Sequence, residues 1–165
     1  MNKKKHLCAL FDLDGVIVDT AKYHFLAWKK IAKNIGYDLT HEDNEQLKGV
    51  SRQDSLNIIL DLANVTIDLK VFNHFLIQKN DDYLLLIQSI SPNDILPGIS
   101  EALTFLKERG IKIGLGSASK NAKIILQKLQ LMDYFEVIID GNIVIKGKPD
   151  PEVFLKGCTA LNVPK

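Results

Sequence analysis

The chain has 165 residues, of which 46% are hydrophobic and 25% are charged, and its formal net charge is +1. This composition is typical of a globular protein and excludes disordered and fibrous classes, and the balanced charge gives no sign of a nucleic-acid or membrane surface. Two cysteines, Cys8 and Cys158, are predicted to be reduced, buried thiols of a cytoplasmic protein. No apolar run is as long as a membrane span, about 20 residues, and the segment 1–11 lacks the organisation of a signal peptide.

The first predicted element is a strand at residues 7–11, a continuous apolar run that ends at Asp12-Leu13-Asp14-Gly15. Such a run is typical of a strand buried on both faces of a parallel sheet. From residue 20 to about residue 90 the pattern is almost wholly helical. Three helices are predicted there. The first begins at Thr20 and is ended by Gly36, and the other two cover about 54–63 and about 69–90.

The second half of the chain alternates between helices and short strands. We predict a helix over 100–109 ended by Gly110, a strand over 111–116, a helix over 121–131, a strand over 137–139 and a last helix with Asp150 as N-cap and Pro151 at its first position. Strand and helix in alternation imply right-handed crossovers and a parallel sheet. The predicted fold class is therefore α/β, with a Rossmann-like core formed by residues 1–18 and 92–165 and an inserted all-helical cap at 19–91.

Only three strands are predicted, whereas a mean sheet has about five or six. We therefore expect the chain to be a fragment that lacks C-terminal strands of its core; a minimal three-stranded core is the alternative.

Chemically active side chains follow the predicted strands. In open α/β sheets ligands bind beyond the carboxyl ends of the strands, and here these positions hold Asp12 and Asp14 after the first strand and Ser117 after the second. Two carboxylates so close together repel each other unless a cation neutralises them, and Mg²⁺ prefers such oxygen ligands. Asp12 then suits attack on phosphorus, and Asp14 suits proton transfer. The alternative is a strand that ends in two solvated acids.

Two further residues suit phosphate binding. The hydroxyl of Ser117 and the amides at the start of the following helix can hold phosphoryl oxygens, although Ser117 could simply be an N-cap. Lys148, which precedes a proline, could pair with the aspartate and the phosphate, or be an ordinary solvated lysine.

Together these motifs identify the chain as similar to the haloacid dehalogenase superfamily over all 165 residues. The resemblance implies that Asp12 is the nucleophile and a Mg²⁺ ligand, Asp14 the general acid/base and a second ligand, and that Ser117 and Lys148 are the second and third motifs.

Further stretches resemble the sugar-phosphate isomerases of this superfamily. They are Phe11–Ile17 with Asp19-Thr20, Tyr23-His24, Ala27-Trp28, Leu47–Arg52, Lys79–Asp81 and Ser117–Asn121. This resemblance implies interconversion of β-D-glucose 1-phosphate and glucose 6-phosphate through an aspartyl-phosphate and glucose 1,6-bisphosphate, which also activates the enzyme. The implied partner is a small sugar phosphate, without nucleic acid or membrane, and the chain is expected to be a monomer.

The resemblance also implies a set of substrate-binding residues. The transferring phosphate would be held by Ser117, Ala118 and Lys148, the distal phosphate by Arg52, Ser119, Lys120 and Asn121, and the sugar or the hinge by Thr20, His24, Trp28, Gly49 and Lys79. From the residues alone, three alternatives stay open: Trp28 as core packing, His24 as a hinge hydrogen bond and Arg52 as an exposed charge.

One family motif is missing. The acidic pair that supplies another Mg²⁺ ligand has no counterpart before Lys165, and Asp140 matches no family ligand. We therefore expect this chain to bind Mg²⁺ weakly and to be poorly active.

Two other functions are alternatives to the mutase. The nearest is a sugar-phosphate phosphatase with the same aspartates, distinguished by release of inorganic phosphate. A phospho-aspartate receiver domain is disfavoured by the long helical insertion.

Overall fold

The computed structural model describes residues 7–164. The first six residues of segment 1–11, which is not expected to be a signal peptide, and Lys165 lie outside the described residues. The chain divides into two units, Met1–Asp19 with Ile90–Lys165, here called the core unit, and Thr20–Ser89, here called the cap unit. The boundaries predicted at 18/19 and 91/92 differ from these by one or two residues.

In chain order the elements are β1 (Cys8–Phe11), α1 (Ala21–Asn34), α2 (His41–Glu45), α3 (Arg52–Ala63), α4 (Leu69–Leu86), α5 (Ile99–Glu108), β2 (Lys112–Gly116), α6 (Ala122–Lys128), β3 (Val137–Ile139) and α7 (Glu152–Ala160). Short 3₁₀ turns lie at Ile87–Ser89, Pro92–Asp94 and Met132–Tyr134.

The core unit is built on a parallel three-stranded sheet in the order β1-β2-β3. Leu10 lies opposite Gly114, and Leu115 lies opposite Ile138. The predicted α/β class with a parallel sheet is confirmed. Because all three strands run the same way, the residues that follow Phe11, Gly116 and Ile139 lie at one edge of the sheet.

The cap unit is all-helical, and α1 packs against α4. Its buried apolar cluster consists of Phe25, Trp28, Ile31, Ala32, Leu39, Leu47, Leu56, Ile59, Leu60 and Phe75. Side-chain caps begin several of its helices: Ser51 Oγ accepts from Asp54 N at 3.2 Å, and Asp68 Oδ1 accepts from Val71 N at 2.8 Å. The first of these caps explains why α3 begins at Arg52, two residues earlier than predicted.

Several element boundaries differ from the predictions. The helix predicted to reach residue 90 ends at Leu86, where a 3₁₀ turn follows, and α6 ends at Lys128 rather than 131. The short α2 was not predicted, because five residues are too few to show helical periodicity. At the start of α7, Pro151 is the N-cap instead of Asp150, although Asp150 Oδ1 still accepts a hydrogen bond from Glu152 N at 2.9 Å.

The burial of the two cysteines and the length of the apolar helices were also predicted. Cys8 and Cys158 are free thiols, but they are half-buried, so the prediction that they are buried is wrong. Within residues 7–164, no helix combines the length and the apolar character that crossing a membrane requires.

Candidate active site

An ion pair joins two predicted site residues of the core unit. Lys148 Nζ lies 2.6 Å from Asp12 Oδ2, and the two side chains are 24% and 32% exposed. The other carboxylate oxygen, Asp12 Oδ1, accepts a hydrogen bond from Leu13 N at 2.8 Å. Lys148 is therefore not the solvated lysine of the alternative interpretation, and the Asp12 carboxylate is both oriented and open to solvent.

The turn after β1 fixes how the two aspartates point. Leu13 is fully buried, whereas Asp12 and Asp14 on either side of it are half-buried. Gly15 has a φ of +76°, and its N–H donates to Val18 O at 2.9 Å. Since a positive φ costs glycine little, the chain can reverse directly after Asp14, and Leu13 anchors the turn in the core.

The loop after β2 is organised by two serines. Ser117 is fully buried, and its Oγ accepts from Ser119 N at 3.0 Å; Ser119 Oγ in turn accepts from Asn121 N at 3.2 Å. The N-cap residue of α6 is Asn121, so Ser117 is not the N-cap. Of the other predicted phosphate ligands, Ala118 is half-buried and Lys120 is exposed.

The loop after β3 braces the loop after β2, a contact that the sequence analysis missed. Gly141 N donates to Ser119 O at 3.2 Å, and Asn142 Nδ2 donates to Lys120 O at 3.0 Å. A Cβ atom on Gly141 would lie only 2.2 Å from the carbonyl oxygen of Ala118. The buried Asp140 accepts from Asn142 N at 2.9 Å and so shapes this turn. The Asp-Gly-Asn sequence is a recognisable turn signal, but nothing in it indicates what the turn contacts.

A second residue missed by the sequence analysis is Glu152, at the start of α7. Its carboxylate accepts hydrogen bonds from Ile145 N at 3.2 Å and Lys146 N at 2.7 Å, and pairs with Lys156 at 2.6 Å. The hydrogen bond from Lys156 and those from the two amides lower the pKa of Glu152 to about 2. The segment just before Lys148, which is joined to Pro149 by a cis peptide bond, is thereby tied to α7.

In the cap unit, Lys79 and His24 are in direct contact. Lys79 Nζ lies 2.8 Å from His24 Nδ1, and Lys79 is only 3% exposed. The ammonium also lies over the rings of Trp28 and Tyr83, at 5.0 and 4.7 Å from their centroids. An ammonium group only donates hydrogen bonds, so Nδ1 is the acceptor and the proton of a neutral His24 is on Nε2.

The electrostatic surroundings keep His24 neutral. Burial, followed by the positive charges of Lys79 and Arg52, holds the pKa of His24 well below its ordinary value. His24 is therefore a neutral hydrogen-bonding group near pH 7, which leaves the positive charge of this region to Lys79 and Arg52.

The other predicted cap residues are placed as follows. Arg52 is half-buried and donates from Nη2 to Asn80 Oδ1 at 2.7 Å; burial lowers its pKa, and Asp81 opposes this. Thr20 is fully buried, and its carbonyl accepts from His24 N at 3.1 Å at the start of α1. Gly49 is exposed in the turn before α3. Trp28 is 2% exposed and belongs to the apolar cluster, so in this structure it supports Lys79 from the core.

The low pKa of His24 predicts a pH-dependent stability. As the pH falls below about 6.5, the unfolded chain takes up a proton on this side chain before the folded chain does. The free energy of unfolding should therefore decrease on acidification, by up to about 1.4 kcal/mol per pH unit from this group. Urea denaturation between pH 7.5 and 5.5 measures the slope, and His24→Gln should have a shallower one.

The exposed His74 offers a matched control for this experiment. His74→Gln should retain the wild-type slope between the two pH values. Equal slopes for the wild type and His24→Gln would contradict the prediction.

Comparisons with known proteins agree on the family to which this chain is similar. A family model described as haloacid dehalogenase-like hydrolase matches residues 7–165. The chain is 47% identical to β-phosphoglucomutase of Bacillus subtilis over 93% of its length and 69% of that protein. It is 30% identical to the phosphorylated carbohydrates phosphatase of Thermotoga maritima, over 93% of this chain and 70% of that protein.

A solved structure is similar as well. The crystal structure of β-phosphoglucomutase from Clostridium difficile superposes with a TM-score of 0.92 at 44% identity, covering 96% of this chain and 72% of that one.

Proposed function

Because the chain belongs to the haloacid dehalogenase-like hydrolase family, we propose that it is a sugar-phosphate mutase that interconverts β-D-glucose 1-phosphate and glucose 6-phosphate. The contact between Asp12 and Lys148 supports phosphoryl transfer, and the 47% identity to the Bacillus β-phosphoglucomutase supports the substrate. In reaction type the proposed activity is that of an isomerase.

Asp12 is the proposed nucleophile. Its carboxylate oxygen attacks the phosphorus, the bond from phosphorus to the sugar oxygen breaks, and an aspartyl-phosphate forms. The ammonium of Lys148, already 2.6 Å from this carboxylate, is placed to balance the added negative charge. The solvent exposure of Asp12 leaves room for a phosphoryl group.

Asp14 is the proposed general acid/base. When the aspartyl-phosphate forms, Asp14 gives a proton to the departing sugar oxygen. When a sugar hydroxyl then attacks the aspartyl-phosphate, Asp14 takes the proton of that hydroxyl. Its position two residues after Asp12, across the buried Leu13, supports this pairing of roles.

The loop after β2 is proposed to bind phosphoryl oxygens. Ser117, Ala118 and Lys148 would hold the transferring group, and Ser119, Lys120 and Asn121 would contribute to the second phosphate. The hydrogen bonds from Gly141 and Asn142 to Ser119 O and Lys120 O support this assignment, because they fix the loop before a ligand binds.

In the cap unit, Arg52 is the proposed ligand of the second phosphate. Its guanidinium is held by Asn80 and can grip a phosphate through two parallel hydrogen bonds. Lys79 and His24, with Thr20 and Gly49, are proposed to contact the sugar or the hinge, and Trp28 to position Lys79.

The donor set at Asp12 and Asp14 fits Mg²⁺, which the family generally uses. Mg²⁺ is usually bound by one or two carboxylates together with substrate phosphates and water. Asp12 and Asp14, at the end of β1, are the proposed protein ligands. When bound, the ion would neutralise negative charge on the phosphoryl group. Glucose 1,6-bisphosphate is the proposed activator, because it can supply the phosphoryl group to Asp12.

A sugar-phosphate phosphatase is the second candidate. The 30% identity to the Thermotoga phosphatase favours it, and the same aspartyl-phosphate would then be attacked by water instead of a sugar hydroxyl. A monomeric chain in the cytoplasm stays a prediction in either case.

A ³¹P NMR time course separates the two candidates. The chain is incubated with β-glucose 1-phosphate, Mg²⁺ and a trace of glucose 1,6-bisphosphate. Appearance of glucose 6-phosphate would support the mutase, whereas inorganic phosphate as the main product would support the phosphatase. Because this chain is expected to be poorly active, the identity of the product and not its rate of formation separates the candidates. Formation of neither product would agree with that expectation, and the same assay on a C-terminally extended chain would then decide between mutase and phosphatase.

A further inference from the structure

A pair of thiols lies away from the proposed active site. Cys8 begins β1, and Cys158 lies in α7, which packs against β1. β1 and α7 lie close together, since a Cβ on Gly157 of α7 would lie 2.9 Å from Leu10 Cδ2 of β1. Side chains two residues apart in a strand share a face, so Cys8 lies on the same face as Leu10, which meets the residue before Cys158. Cys158 is accordingly among the neighbours that raise the pKa of Cys8.

Burial and a nearby positive charge act in opposite directions on this pair of thiols. Lys112 lies opposite Cys8 in the sheet register, and its ammonium donates to Leu161 O at 2.5 Å just beyond α7. Burial and the neighbouring Cys158 raise the pKa of Cys8, whereas the charge of Lys112 opposes this rise. Both thiols are half-buried, so a small oxidant can reach them.

We propose that Cys8 and Cys158 form a redox-active dithiol, which a hydroperoxide converts into an intramolecular disulfide between β1 and α7. Disulfides inside the reducing cytoplasm are mostly transient and regulatory. A disulfide needs Cβ atoms about 4 Å apart, and the close packing of α7 on β1 brings the segments that carry the two cysteines together.

The reaction has two steps. The thiolate of one cysteine attacks an oxygen of the hydroperoxide, the O–O bond breaks, and a sulfenic acid forms while the other oxygen leaves as an alcohol or as water. The second thiolate then attacks the sulfenic sulfur, the S–S bond forms, and the S–O bond breaks to release water. Overall the two thiols lose two electrons and two protons, and the peroxide is reduced.

The cross-link would join two elements that position the proposed site. β1 leads directly into Asp12, and α7 follows Lys148. Cys8 is four residues before Asp12, about 13 Å along an extended strand, so the disulfide would restrain these elements without covering the aspartate.

The test uses the full chain with hydrogen peroxide as the probe. We expect a monomeric product lighter by two hydrogen masses under non-reducing conditions, and a peptide map that joins the Cys8 and Cys158 peptides. Closing so long a loop should raise Tm by roughly 5–15 °C, and dithiothreitol should reverse both changes. Cys158→Ser should show neither change, and Cys8→Ser provides the same control should Cys158→Ser not fold.

Other outcomes would overturn the proposal. Retention of two titratable thiols after peroxide treatment, a disulfide only between two chains, or oxidation to sulfinic acid without a cross-link would each show that the pair does not act as a dithiol.

Discussion

The Asp12→Asn variant is expected to lose phosphoryl transfer by at least about 10³-fold, as do enzymes whose nucleophile is removed. The amide has nearly the shape of the carboxylate and can still accept the hydrogen bond from Leu13 N, but it is not a nucleophile. It also removes the negative charge that lies 2.6 Å from Lys148 Nζ. The ³¹P NMR assay measures turnover, and the mass of the chain after incubation with glucose 1,6-bisphosphate detects the phosphorylated form.

An acyl phosphate is removed by hydroxylamine, so the added phosphoryl group should be labile in the wild type and absent from Asp12→Asn. Asp38→Asn is the matched control. The Asp38 side chain is 86% exposed, and it forms a surface ion pair with Lys29. A labile phosphoryl group on the Asp12→Asn chain would show that another residue is the nucleophile.

The core sheet could be predicted because its strands are local apolar runs. Residues 7–11 and 137–139 are continuous apolar segments bounded by polar or turn-forming residues, and a parallel sheet follows from the helices between them. The ends of helices were predicted less well. Whether Ser51 or Asp54 starts α3 depends on which side chain reaches the free amides, and periodicity does not reveal this.

The candidate site could be predicted only in part. Asp12, Ser117 and Lys148 stand out because each lies next to a strand end or before a helix. Gly141 and Glu152 act on backbone groups of other loops, and such contacts depend on how the loops cross in space. The same limit applies to Cys8 and Cys158, which are far apart in the sequence but lie in elements, β1 and α7, that pack against each other.

The Gly141→Ala variant is expected to have the second large effect. Its Cβ would lie 2.2 Å from the carbonyl oxygen of Ala118, a distance that the backbone must relieve by moving. Because the backbone N–H of Gly141 itself donates to Ser119 O, the movement displaces the whole loop after β2. A displacement of about 1 Å in a positioning element can reduce turnover by about 10²-fold, and we expect a loss of that order in kcat/KM.

Gly147 offers a control in the same connection between β3 and α7. A Cβ there would meet nothing within 4 Å, so Gly147→Ala should retain wild-type turnover. The backbone amide resonances of Ser119 and Lys120 give a readout that does not depend on activity: they should shift in Gly141→Ala and stay in place in Gly147→Ala. If both variants behaved like the wild type, the loop after β3 would not be what holds the phosphate-binding loop. If only the resonances moved, the loop would be braced by Gly141 but would not limit phosphoryl transfer.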